Sequence, residues 1–134
     1  MDHSTPVIKT TNLSKSYGNI HALKSLNLDV PTNSIVGFLG PNGAGKSTTI
    51  KLLLGLAIQT AGNGTIFGLD IFNQNQNIHR RVGYLAQNPR FYEHMTARQI
   101  MDFTARFFFK GPEHLIRERI TETLDLVGLE DKSD

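Results

Sequence analysis

The chain has 134 residues, a formal net charge of +2, 39% hydrophobic and 19% charged residues, and no cysteine. That length sustains a domain with a real core, and the composition argues against a disordered polymer, a disulfide scaffold, a thiol-ligated metal and a dedicated nucleic-acid surface. The longest apolar runs fall far short of the ~20 residues that span a bilayer, and the first residues lack the charged-then-apolar order of a signal peptide, so work at a membrane requires docking onto another subunit.

In chain order, residues 7–13 alternate loosely, carry β-branched side chains and predict a strand. The polar stretch Ser14-Lys15-Ser16-Tyr17-Gly18-Asn19 is turn-like. Residues 22–30 alternate cleanly, with Leu26, Leu28 and Val30 on one face and Asn27 and Asp29 on the other. Pro31-Thr32-Asn33-Ser34 then turns the chain into Ile35-Val36-Gly37-Phe38-Leu39, a short apolar run expected as a buried strand. An antiparallel β piece thus precedes a strand expected in a parallel α/β core. Tyr17, the aromatic of the first loop, is either a flat surface for a base or a rim tyrosine with a wet hydroxyl.

Gly40-Pro41-Asn42-Gly43-Ala44-Gly45-Lys46-Ser47 follows, and it fits G-x-x-x-x-G-K-[ST] at every fixed position. Behind it, Ile50, Leu53, Leu54 and Ala57 recur at helical spacing. A triphosphate can be approached by backbone N–H groups only where side chains do not intervene, and glycine also tolerates positive φ. The first turn of the helix supplies orphan N–H donors and about half a positive charge. Lys46 adds a point charge for the outer phosphates, and the Ser47 hydroxyl is an oxygen ligand for Mg²⁺. The alternative, a glycine turn that merely joins strand to helix, leaves the lysine and serine unexplained.

Further on, Gln59-Thr60-Ala61-Gly62-Asn63-Gly64 is a dense turn signal, Thr65-Ile66-Phe67 a short strand and Gly68-Leu69-Asp70 another turn. Val82-Gly83-Tyr84-Leu85-Ala86 is a second buried-strand candidate that ends at Gln87. A doubly wound sheet puts ligand-facing groups at such carboxyl ends. Gln87 is therefore either an amide facing Mg²⁺ or water, or a glutamine that opens a loop. The last third is helical. Thr96-Ala97-Arg98-Gln99 is a capping box, with Met95 and Ile100 placed as a staple. Gly111-Pro112 separates two helices, Ile116, Ile120, Leu124 and Val127 stripe the second, and Gly128 is its expected stop. Phe107-Phe108-Phe109 cannot all face one way on a helix, so core packing is expected with at least one ring outside. The five histidines show no paired ligand spacing, and no zinc site is expected.

With these residues in place, nearly the whole chain resembles the amino-terminal half of an ABC-transporter ATP-binding subunit. The resemblance rests on Asn12-Leu13-Ser14-Lys15-Ser16-Tyr17-Gly18, on the loop with Thr48, on Gly62-Asn63-Gly64-Thr65-Ile66 and on Val82-Gly83-Tyr84-Leu85-Ala86-Gln87. The loop wording with Leu52-Leu53-Leu54-Gly55-Leu56 is similar to bacterial exporters of the ABC-2 kind. The fold it implies is α/β: a partial P-loop NTPase core with an N-terminal antiparallel β subdomain and the start of a helical subdomain. It implies a core over residues 1–95 and helical subdomain from 96 to 134.

The resemblance also implies the site. ATP would be held by Tyr17, stacked on adenine, by Gly40, Pro41, Asn42, Gly43, Ala44, Gly45, Lys46, Ser47 and Thr48, and by Gln87. Mg²⁺ would be held by Ser47 and Gln87. Implied partners are a transmembrane permease, met near Phe91, Tyr92 and Glu93, and a second ATP-binding subunit in a head-to-tail dimer. The implied location is cytoplasmic, peripheral on the inner face of the membrane. The family's Leu-Ser-Gly-Gly-Gln signature, catalytic glutamate and switch histidine are not among these residues, which predicts a truncated chain without meaningful hydrolysis. Alternative expectations are a non-catalytic fragment that pairs with intact subunits, and a soluble ABC-type ATPase outside transport. The sheet edge beside Leu39 is expected to be exposed and prone to association.

Overall fold

The computed structural model describes residues 5–129, which divide into two compact units between Gly83 and Tyr84. The first unit is built on a four-stranded antiparallel sheet in the order β2-β1-β3-β4. Its strands are β1 (Ile8–Tyr17), β2 (Ile20–Val30), β3 (Ala61–Ile66) and β4 (Leu69–Asp70). Helices α1 (Lys46–Leu53) and α2 (Asn75–His79) complete it.

β1 and β2 form a hairpin from Ile8↔Val30 to Tyr17↔Ile20. The expected turn over residues 14–19 shrinks to Gly18-Asn19, with Gly18 at φ +55, and the polar residues before it join β1. β2 alternates as its sequence demands, with Leu26, Leu28 and Val30 partly covered and Asn27 and Asp29 exposed. Midway, Asn12 and Ser25 take left-handed φ of 49° and 45°, where the register shifts. A side-chain network replaces ladder bonds there. The Asn12 N–H donates to Asn27 Oδ1 at 2.9 Å, Ser25 Oγ to Asn12 Oδ1 at 3.0 Å, and the Ser25 N–H to Ser14 Oγ at 2.9 Å. Asparagine is among the residues that tolerate this backbone region.

Leu13, Leu23, Leu52, Leu53, Ile66, Ile71 and Ile78 form the core, so one face of the sheet is closed by α1 and the chain around α2. Buried Thr10 donates its hydroxyl to the Leu26 carbonyl at 3.0 Å, as a polar side chain in a core must. α1 ends in a Schellman arrangement: Gly55 lies at φ +64, its N–H donates to Leu52 O, and the Leu56 N–H donates to Lys51 O. The His79 ring nitrogen Nε2 lies 2.7 Å from Leu54 O, tying α2 to that helix end.

In the second unit, α3 (Ala97–Phe108) and α4 (Glu113–Leu126) pack together. The capping box of α3 is complete. Thr96 Oγ1 accepts from the Gln99 N–H at 3.3 Å, and the Thr96 N–H donates to Gln99 Oε1 at 2.9 Å. Thr96→Ala is expected to cost about 1 kcal/mol; faster hydrogen exchange confined to the α3 amides would register it. Gly128 stops α4 at φ +68 with the same two reverse bonds, from its own N–H to Asp125 O and from Leu129 N–H to Leu124 O. Arg106 links Asp102 at 2.7 Å to Glu113 at 3.2 Å, and Arg117 meets Glu113 at 2.9 Å. The Arg106 hydrogen bonds hold the Asp102 carboxyl below its ordinary range, and Arg117 followed by Arg106 does the same to Glu113.

Further expectations are corrected. Residues 35–39 and 82–86 form no strand, and among the described residues neither joins a sheet. A buried parallel strand needs neighbours on both edges and cover on both faces. Ile35 and Leu39 are instead almost fully exposed. Residues 61–64 belong to β3 and Leu69–Asp70 to β4 rather than to turns, because pairing with β1 and with β3 overrides their local preference. Phe107, Phe108 and Phe109 are all more than half exposed, and α3 buries none of its residues fully.

Candidate functional site

The loop at residues 40–47 runs into α1 through Gly45, whose φ of 88° lies in the left-handed region. A Cβ on Gly45 would sit 2.7 Å from the Ala22 carbonyl oxygen and 3.0 Å from Leu23 Cδ1. Glycine is therefore required twice over, for backbone sign and for the approach of the helix start to β2. Gly43 also has a positive φ, 82°, but open space around its missing Cβ. The loop is tight: the Ala44 N–H donates to Pro41 O at 3.2 Å.

Lys46 folds back over this loop. Its Nζ donates to Gly40 O at 2.5 Å and to Pro41 O at 2.7 Å. An ammonium has three N–H donors, so one remains for a ligand at the loop's mouth. Thr49, buried one turn on, donates both its hydroxyl, at 2.9 Å, and its backbone N–H, at 2.8 Å, to Gly45 O. Helix and loop are thus joined through one carbonyl.

No side chain caps α1, and its first turn holds no acidic residue. The N–H groups of Lys46, Ser47 and Thr48 then point along the axis toward the loop, and the positive end of the helix dipole is not neutralised. Ser47 is exposed and Thr48 partly covered. This donor set, one lysine, a turn of free amides and a hydroxyl, suits a multiply charged phosphate with an oxygen-bound Mg²⁺.

Tyr17 ends β1 and is half exposed. It shares a hairpin with Ala22 and Leu23, the residues against which Gly45 rests, so one piece of sheet carries the ring and supports the loop. Lys15 Nζ lies 4.6 Å from the centroid of that ring. The sequence reading missed Lys15 in this role, and it missed Ala22, Leu23 and Thr49. The two-residue spacing of Lys15 and Tyr17 along a strand was the available signal. Tyr17 and residues 40–48 all lie in the first unit; Gln87 belongs to the second unit, exposed ahead of Asn88-Pro89.

The site and its sheet define a P-loop nucleotide-binding architecture with an antiparallel β subdomain. The ABC transporter family model matches residues 23–134, and the chain belongs to that family. The bacitracin transport ATP-binding protein BcrA of Bacillus licheniformis is 41% identical over 124 residues, 92% of this chain and 39% of the relative. The sulfate/thiosulfate import ATP-binding protein CysA of Thermosynechococcus vestitus is 37% identical over 122 residues, 91% of this chain and 36% of the relative. Among solved structures, the dimeric post-hydrolysis ATP-binding cassette MJ0796 bound to ADP and Pi matches with TM-score 0.80 and 27% identity, covering 94% of this chain and 59% of that one. CbiO1 from Clostridium perfringens, part of the ABC transporter complex CbiONQ, matches with TM-score 0.81 and 25% identity, covering 98% and 54%. The chain spans about two-fifths of the length of the curated relatives it matches. Among the described residues, no helix is long and apolar enough to cross a membrane.

Proposed function

We propose that this chain is the phosphate-binding part of an ABC-transporter ATP-binding subunit, whose ATP binding and hydrolysis drive transport across a membrane. One observation carries the reading: Lys46 closes the glycine loop over two carbonyls at the uncapped, acid-free start of α1. Residues 40–48 wrap the phosphates, Lys46 neutralises them, and Tyr17 stacks on adenine. Ser47 would hold Mg²⁺, with Gln87 the further ligand that the family resemblance implies, and the ion would offset the charge of the phosphates. Residues 1–95 form the ATP-binding core and residues 96–134 open a helical subdomain. The subunit meets a permease on the inner face of the membrane and pairs head-to-tail with a second ATP-binding subunit. Its relatives' names span bacitracin transport and sulfate/thiosulfate import, and ATP binding is what those names share.

The metal assignment has its own test. Ser47→Ala is expected to weaken ATP binding about ten-fold in the presence of Mg²⁺ and to leave Mg²⁺-free ATP binding within about two-fold, since only the metal ligand is lost. Equal loss in both conditions would remove Ser47 from the metal site. The 134 residues supply phosphate binding and no group assigned to activate water, so ATP turnover by this chain alone is expected at background. A Lys46-dependent release of phosphate from the purified chain would overturn that.

A further inference from the structure

Lys15 is an unassigned charge beside Tyr17, and the strand end that carries it is pinned. Its Nζ stands 4.6 Å above the centroid of the Tyr17 ring, within cation–π range. Among the described residues no carboxylate pairs with it. The backbone on either side of Lys15 is pinned by a single residue: Ser14 O accepts from the Thr60 N–H at 2.9 Å, and the Ser16 N–H donates to Thr60 Oγ1 at 3.0 Å. Ser16 Oγ is further tied to His21 Nδ1 at 2.9 Å. The strand end that carries both side chains is thus held from β2 and from the residue preceding β3.

We propose that Lys15 is a positioning residue for the nucleotide base: it covers one face of Tyr17, fixes the ring, and leaves the opposite face to stack on adenine. This rests on the assignment of Tyr17 as the adenine platform. A half-exposed tyrosine loses ring freedom when a base stacks on it, and an ammonium already over one face removes part of that cost beforehand. The cation also draws on the ring's π density, so the contact acts through Tyr17 and not on the phosphates.

The test uses the full chain and two probes, ATP and inorganic tripolyphosphate, which has the charge but no base. Lys15→Met keeps the length of the stem and removes the charge. It is expected to weaken ATP binding about two- to five-fold, the size of an exposed cation–π contact, with tripolyphosphate binding unchanged. Lys15→Arg, which retains a cation over the ring, is expected to restore ATP binding. The sequence contains no tryptophan, so Tyr17→Trp gives a single indole whose fluorescence reports the ring directly. Its quenching by saturating ATP should shrink when Lys15→Met is added and recover with Lys15→Arg. Equal weakening of ATP and tripolyphosphate by Lys15→Met would make Lys15 a phosphate contact or a long-range charge and overturn the proposal. Unchanged ATP binding in Lys15→Met, with Tyr17→Ala still weakening ATP, would overturn it and leave the stacking assignment standing. Unchanged ATP binding in Tyr17→Ala would remove both.

Discussion

Replacing Lys46 by alanine is expected to weaken ATP binding by about ten- to a hundred-fold, the range for losing hydrogen bonds to a charged group. The side chain has two jobs that the substitution removes together. Two of its three donors hold the loop closed on Gly40 O and Pro41 O, and the third, with the full positive charge, is left for the proposed ligand. The two carbonyl contacts lie at an exposed loop, where water replaces them at little cost, so the thermal midpoint of the folded chain should move by only a degree or two. Calorimetric titration of ATP into both proteins, with a melt of each, separates the effects. A large fall in midpoint with no change in affinity would make Lys46 a structural brace and not a phosphate ligand.

The second large effect is on stability. Gly62→Ala is expected to destabilise the first unit by about 2–5 kcal/mol, combining left-handed strain of about 1–2 with close-packing strain of about 1–3. Gly62 lies at φ +75, and a Cβ there would run into the carbonyl of Asn12 and the backbone N of Leu13. Backbone atoms cannot swing aside as a flexible side chain can. Those residues form the irregular step in β1 that places Leu13, fully buried, into the core. Gly68 is a matched control, with φ +76 and nothing within 4 Å of its missing Cβ. Gly68→Ala should therefore incur only the strain of about 1–2 kcal/mol. Denaturant midpoints for the two variants isolate the close approach by difference. Equal losses would mean that β3 does not press on β1 at Asn12 and Leu13. Against a whole-domain stability of about 5–15 kcal/mol, the expected loss is large enough to depopulate the fold on warming.

The contrast between those glycines also shows what could be read from residues alone. Signals complete within a few residues survive intact. Thr96 and Gln99 close their capping box, Gly128 stops α4, and the alternation of β2 sets its faces. The loop at residues 40–47 belongs with them, because its glycines, lysine and helix start act on one another locally. Signals that depend on distant neighbours do not survive. Residues 61–64 have the composition of a turn, yet pairing with β1 makes them a strand. Residues 35–39 have the composition of a buried strand, and among the described residues nothing pairs with them. The same apolar run is core or edge according to what lies beside it. Phe107, Phe108 and Phe109 make the point again, since hydrophobicity alone says nothing of which rings find a core. At the site, the loop and Tyr17 were legible as residues. The support of Gly45 by Ala22 and Leu23, and the ammonium over the Tyr17 ring, required the hairpin to be folded.

That hairpin joins the two halves of the proposal, a loop assigned to phosphates and a ring assigned to a base. The central claim is that one ligand, Mg²⁺-bound ATP, engages both. Titrating ATP with Mg²⁺ into the ¹⁵N-labelled chain and following its amide resonances tests this residue by residue. The account predicts shifts at Gly43, Gly45, Lys46, Ser47, Thr48 and Tyr17 that saturate together with a single affinity. Saturable shifts that leave the amides of residues 40–48 in place, or the absence of any shift, would contradict it.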